Sequence, residues 1–179
     1  MQNERNSDKT REQGLEELID VVGGAFEHLP FADGTFDLVW CQDCLIHAND
    51  RNAVVAEIAR VLVSRGADVV LTDHMDTQDA VPERIVPIKQ RLSLKLDLAT
   101  RQFYQNAFLA QGFGDAGYVE GTEHMVTHCS KVLTALQDAE HLATSISGEF
   151  AENAKTGMSH WIEEGKQGHL EWGILHFRR

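Results

Sequence analysis

The 179 residues carry 16 Lys+Arg against 28 Asp+Glu, a formal net charge of −12, with 42% hydrophobic and 25% charged residues. That is an ordinary globular composition, with one domain as the expectation and a core that needs no disulfide or metal, and its acid excess argues against nucleic acid and anionic membrane surfaces, which select clustered Lys and Arg. No stretch approaches about 18 consecutive apolar residues, and the opening MQNERNSDKTREQGLEE is polar and charged, so neither a membrane span nor a signal peptide is expected. Cys41, Cys44 and Cys129 are an odd number of cysteines, which reads as reduced thiols in a cytoplasmic protein.

In chain order, residues 3–18 carry helix formers, and Leu18-Ile19-Asp20-Val21-Val22 before Gly23-Gly24 reads as a short strand. After the turn at Ala32-Asp33-Gly34-Thr35, the run Phe36–Cys41 reads as a buried parallel strand covered on both faces. Asn49 or Asp50 caps a helix whose Val54, Val55, Ile58, Val61 and Leu62 share a face and which ends near Ser64-Arg65-Gly66. Ala67–Thr72 is the next buried strand, so strand, helix and strand follow as a right-handed βαβ unit. A Pro-punctuated helical insert at about 80–97 leads to a helix over Thr100–Gly112 that packs through Phe103, Ala107, Phe108 and Ala110. A strand near Gly117–Gly121, helices over about 122–142 and 147–165, and a last strand at Leu170–Phe177, alternating as if partly open to solvent, complete the chain.

In open α/β sheets ligands sit outside the carboxyl ends of the parallel strands. That rule selects Gly24-Ala25-Phe26-Glu27, then Cys41-Gln42-Asp43 through His47, then Asp73-His74-Met75. Asp43 and His47 are four residues apart; on a helical turn they share a face and offer a carboxylate for a cationic amine with an imidazole for proton transfer. From spacing alone, Asp43 as a turn cap and His47 as a satisfied loop histidine explain the same residues.

The stretch from Gly24 to His47, GAFEHLPFADGTFDLVWCQDCLIH, closely resembles class I S-adenosylmethionine-dependent methyltransferases. Glu57-Ile-Ala-Arg-Val-Leu62 and Gly66-Ala-Asp-Val-Val-Leu-Thr-Asp73 resemble the family's next helix and strand, with Ser64-Arg65-Gly66 where Pro-Gly-Gly is usual. His160–Phe177, Thr127-His128-Cys129 and Asn3-Glu4-Arg5-Asn6 look like the sarcosine/dimethylglycine N-methyltransferases of glycine betaine synthesis. The resemblance implies a Rossmann-like methyltransferase fold lacking its first two strands, with an antiparallel C-terminal strand. It also implies one partial domain over residues 1–179, with 77–98 and 122–166 as helical segments on the substrate side. Gly24, Ala25, Phe26 and Gln42 match cofactor positions for S-adenosylmethionine, and Asp43 and His47 match positions that contact the acceptor amine in phosphoethanolamine methyltransferases. An amino-acid acceptor also has a carboxylate, for which Arg91 or His128 would supply the cation or donor.

The sequence departs from the family in having neither the Gly-x-Gly loop nor the acidic strand end that receives the cofactor ribose. The chain thus reads as truncated at its N-terminus, and a homo-oligomer or a complementing N-terminal segment is the expected partner besides the small amine. A non-catalytic fragment or interaction module is the alternative, and phosphoethanolamine or another small amine is the alternative acceptor. Cys41-x-x-Cys44 has no second short-spaced pair and the wrong spacer for a thioredoxin-like motif, and His124 with His128 lacks the intervening Glu of a zinc helix, so no metal is expected. Trp161 and Trp172 are expected to pack the last helix onto the last strand.

Overall fold

The computed structural model describes residues 2–78, 98–138 and 148–179. The predicted insert at about 80–97, with Arg91, lies outside the described residues. The elements are α1 (Gln2–Glu12), β1 (Leu38–Gln42), a 3-10 turn (Leu45–His47), α2 (Arg51–Val61), β2 (Asp68–Asp76), α3 (Arg101–Ala110), β3 (Gly114–Glu120), α4 (Thr122–Asp138), α5 (Gly148–Lys166) and β4 (Leu170–Arg178).

Two caps start helices where the sequence places them. Asp50 accepts from the Ala53 N–H at 3.1 Å, and Thr100 Oγ1 accepts from the Phe103 N–H at 3.1 Å, each satisfying a donor that the first turn leaves without an intrahelical partner. Val54, Val55, Ile58 and Val61 of α2 are buried on one face, and α3 buries Tyr104 and Phe108. The strands form one sheet in the order β1-β2-β4-β3. β1 runs parallel to β2 with Val39 opposite Val69 and Cys41 opposite Leu71, as the βαβ reading requires. β4 is antiparallel to both β2 and β3, the expected C-terminal antiparallel strand.

The main core joins α2 and α3 to the sheet through Ile58, Leu71, Phe108, Phe113, Leu175 and Phe177. There the Phe108 and Phe177 rings stack with centroids 4.5 Å apart. A second apolar cluster, Ile46, Leu98, Met125, Cys129, Trp161 and Leu170, ties α4 and α5 to the 3-10 turn after β1, to the segment before α3 and to the start of β4.

Two expectations need correction. Leu18–Val22 is not a strand; Leu18 is 80% exposed, the Leu18 and Ile19 N–H groups both donate to the Leu15 carbonyl at 2.9 Å in a local turn, and no strand pairs with the run among the described residues. β1 is not covered on both faces: it lies at an end of the sheet order, and Leu38 and Trp40 remain 50% and 63% exposed while Cys41 is buried. The last strand alternates as expected, with Leu170, Gly173, Leu175 and Phe177 buried and Ile174 and His176 partly open, and it is an interior strand of the sheet, bonded along both sides.

Candidate functional site

The site forms where β1 and β2 end, beneath α4 and α5. β1 stops at Gln42, and Asp43 takes φ +47°, the one positive φ outside glycine among the described residues. Asp tolerates this left-handed conformation better than most side chains, and neighbouring groups hold it. The Asp43 N–H donates to the Thr72 carbonyl at 3.0 Å and to Thr72 Oγ1 at 3.2 Å. Thr72 Oγ1 donates to Asp43 Oδ1 at 2.9 Å, and Trp172 Nε1 donates to the same oxygen at 2.8 Å. One carboxylate oxygen is thus fixed by donors from β2 and β4.

Trp172 reaches that oxygen because Gly121 leaves room for its ring: a Cβ there would sit 2.6 Å from the indole carbons. The Gly121 N–H donates to the Trp172 carbonyl at 2.9 Å, and the Trp172 N–H donates to Thr122 Oγ1 at 3.1 Å. The start of β4 is therefore tied to the start of α4, the helix that covers the site.

A cavity of about 580 Å³ opens on this carboxylate. Its polar lining is Gln42, Asp43, His47, His74, His124 and His128; its apolar and aromatic lining is Ile46, Met125, Cys129, Val132, Met158, Trp161 and Trp172. Among the described residues this lining contains no Lys or Arg. His74 Nδ1 lies 3.9 Å from Asp43 Oδ1, too far for a hydrogen bond, and its ring packs on Trp161 with centroids 4.6 Å apart. Burial pushes the His74 pKa below its ordinary 6.5, the Asp43 carboxylate opposes that shift, and His128 reinforces it, so His74 is a neutral imidazole at pH 7.

Asp73 turns away from the cavity. It is fully buried, accepts from the Tyr104 hydroxyl and from the His74 N–H, and is pushed up to about 6, chiefly by burial. No group of three or more His, Cys, Asp or Glu among the described residues is arranged to hold a metal ion.

The structure brings together Gln42, Asp43, His47 and His128. Asp43 and His47 do not share one helix, as their spacing suggested, because the left-handed residue precedes a short 3-10 turn; both line the cavity all the same. Gly24, Ala25 and Phe26 stand outside this lining, in a turn closed by the His28 N–H donating to the Ala25 carbonyl at 3.0 Å. That loop is fastened to α2: Glu27 Oε1 accepts from the Asn49 N–H at 3.0 Å, and Glu57 Oε1 accepts from the Leu29 N–H at 2.7 Å. Sequence reasoning gave no role to His74 and read His124 as structural; the strand-end rule that selected Asp73-His74-Met75 was the available signal. Trp161 and Trp172 pack as expected and also wall the cavity.

Residues 2–70 match the family model of a methyltransferase domain. The chain is 38% identical to the sarcosine/dimethylglycine N-methyltransferase of Halorhodospira halochloris, over 99% of this chain and 63% of that protein. It is 39% identical to the enzyme of the same name from Aphanothece halophytica, over 100% of this chain and 64% of that one. The chain therefore spans about two-thirds or less of the length of these relatives. The provisionally named sarcosine dimethylglycine methyltransferase of Galdieria sulphuraria superposes with a TM-score of 0.89 at 34% identity, covering 99% of this chain and 65% of that crystal structure. A geranyl diphosphate methyltransferase in complex with SAM superposes at a TM-score of 0.80 and 17% identity over 64% of its chain, which speaks for the fold alone. Sequence and structure agree: the chain has the class I methyltransferase fold and resembles the sarcosine/dimethylglycine N-methyltransferases along 99% of its length.

Proposed function

We propose that this chain moves a methyl group from S-adenosylmethionine to the amine of sarcosine or N,N-dimethylglycine, in glycine betaine synthesis. The observation that carries the reading is the Asp43 carboxylate, fixed through Oδ1 by Thr72 and Trp172 at the wall of an imidazole- and indole-lined cavity. Its second oxygen is left for a cationic acceptor nitrogen, and the fixed geometry favours in-line approach, which supplies much of the rate in a displacement of this kind.

Nucleophilic attack needs the amine's lone pair, so its proton must leave first. His47, on the 3-10 turn beside Asp43, is the proton acceptor in this reading, and Asp43 orients the nitrogen and stabilises its positive charge. Trp161 and Trp172 present indole rings to the ammonium as methyl groups accumulate, a cation–π contact that does not depend on remaining N–H donors. His128, on the cavity wall, donates to the acceptor carboxylate, and Arg91, outside the described residues, is the other candidate for that role.

When bound, S-adenosylmethionine supplies an electrophilic methyl on a sulfonium. Gln42 at the cavity, with Gly24, Ala25 and Phe26, would hold it. Phe26 suits this role: the residue is 38% exposed in a loop otherwise fastened to α2, and would offer an adenine a ring to stack on. Residues 1–179 act as one domain in this reading, with 77–98 and 122–166 on the acceptor side, in a cytoplasm that keeps the cysteines reduced. A homo-oligomer or a complementing N-terminal segment would cover Leu38 and Trp40 on β1.

The test is calorimetric titration of S-adenosylmethionine and S-adenosylhomocysteine into the chain, folded by circular dichroism, followed by methyl transfer to sarcosine, dimethylglycine and phosphoethanolamine. Binding with transfer to the two amino acids supports the proposal. A folded chain that binds neither cofactor form, or that methylates only phosphoethanolamine, overturns it.

A further inference from the structure

Cys41 and Cys44 bracket Gln42 and Asp43, the two residues that carry the end of β1 into the cavity. Their Sγ atoms are 2.8 Å apart. A disulfide requires about 2.05 Å between sulfurs, so closing the bond asks for a side-chain movement below 1 Å, the difference between those two distances. The backbone is already set for it. Asp43, at φ +47°, folds the segment back, and its N–H is anchored on Thr72, so Cys44 returns toward Cys41.

The two thiols differ in ways that assign them separate parts. Cys41 is 7% exposed in the main core, whereas Cys44 is half-buried. The sulfur–sulfur contact favours a thiolate at Cys44 and lowers its pKa, against burial and the Asp73 and Asp43 carboxylates, and the same contact with burial shifts Cys41 upward. Thiolate character and access make Cys44 the attacking sulfur and Cys41 the resolving one. Cys129, 5% exposed in the second cluster and pushed up by burial, is a control within the same chain.

We propose that Cys41 and Cys44 are a redox modification site that hydroperoxides convert to an intramolecular disulfide and small dithiols restore. The Cys44 thiolate attacks a peroxide oxygen; the S–O bond forms as the O–O bond breaks, and the departing oxygen takes a proton to leave as water or alcohol. Cys41 sulfur then attacks the Cys44 sulfenic sulfur; the S–S bond forms as the S–O bond breaks, and the hydroxyl leaves as water with the Cys41 proton. Two thiols lose two electrons, and one peroxide gains them. Asp43 then lies inside the closed ring, held in its left-handed conformation by a covalent link as well as by Thr72 and Trp172.

The test does not depend on methyl transfer. The reduced chain is treated with hydrogen peroxide, its remaining thiols are alkylated, and tryptic segments are weighed: residues 12–51 contain Cys41 and Cys44, and residues 102–131 contain Cys129. The expected result is loss of two hydrogens within 12–51, one alkylated thiol in 102–131, full reversal by dithiothreitol, and the same behaviour in Cys129→Ser. Cys41→Ser should stop at a Cys44 sulfenic acid that dimedone traps, and Cys44→Ser should consume thiol about tenfold more slowly, each variant confirmed folded by circular dichroism. Three alkylated thiols after peroxide in the folded chain, sulfinic acid at Cys44 without loss of two hydrogens, or a link that includes Cys129 would each overturn the proposal.

Discussion

Asp43 holds the backbone at the end of β1 and, in the proposed reaction, orients the amine, and two substitutions separate these parts. Asn accepts a left-handed φ and keeps an oxygen for Thr72 and Trp172, so Asp43→Asn should leave urea-unfolding stability within about 0.5 kcal/mol. Losing the charge that orients the amine should still lower turnover about 100-fold. Asp43→Ala leaves both donors without an acceptor and forces a Cβ residue into the left-handed region, so it should cost a further 2 to 3 kcal/mol or about that much in the same melt. If Asn and Ala lose stability equally, the clamp is not what holds the residue. Trp172→Phe keeps a ring over Gly121 and removes only the N–H; the expected loss is about 1 kcal/mol of stability, with a rise in KM for the amine larger than the fall in kcat. Asp43 and His47 were legible because a strand-end rule points at them. The Trp172 partnership was not, since it joins positions 129 residues apart and exists only because β4 enters the sheet beside β2.

At the scale of elements, local chemistry carried the reading wherever an element satisfies its own backbone. α2 and α3 announce themselves through a cap and an apolar face, and Asp50→Ala should cost about 1 kcal/mol in thermal unfolding while leaving cofactor binding unchanged. Strands depend on neighbours, which composition does not reveal: Leu18–Val22 and Phe36–Cys41 are similarly apolar, yet among the described residues only the second finds a partner strand, because α2 returns the chain to lay β2 alongside it. The turn from β3 into α4 is the element on which the site geometry rests. Gly121→Ala would place a Cβ 2.6 Å from the Trp172 ring, and the ring has no slack, being bonded to Asp43 by its nitrogen and to Thr122 through its backbone. Overpacking of this kind costs about 1 to 3 kcal/mol, and the displaced indole should change the near-ultraviolet circular dichroism. An unchanged spectrum with wild-type stability would show that Trp172 is free to move and that the Asp43 clamp is loose.

For the molecule as a whole, β2 divides two environments, and consecutive residues on it titrate in opposite senses. Asp73, sealed against Tyr104 on the core side, has its pKa raised from 3.8 to about 6, mainly by burial. The folded state therefore holds that proton more tightly than the unfolded chain. Its contribution to stability is complete below about pH 3.8 and is lost as pH rises through about 6, on the order of 3 kcal/mol in all. His74, on the cavity side, has its pKa lowered below 6.5 by burial, so the unfolded chain takes up a proton first. Its contribution is present above about pH 6.5 and is lost as pH falls below that value. Between about pH 4 and 6.5 the two slopes oppose each other and flatten the wild-type profile. Asp73→Asn removes one of them. Urea unfolding of wild type and variant from pH 4 to pH 8 should show the variant gaining on wild type by on the order of 3 kcal/mol as pH rises, after a constant penalty for the carboxamide's poorer match to two donors. A difference that does not vary with pH would mean that Asp73 is ionised throughout the range, and that its partners Tyr104 and His74 outweigh the cost of burying its charge.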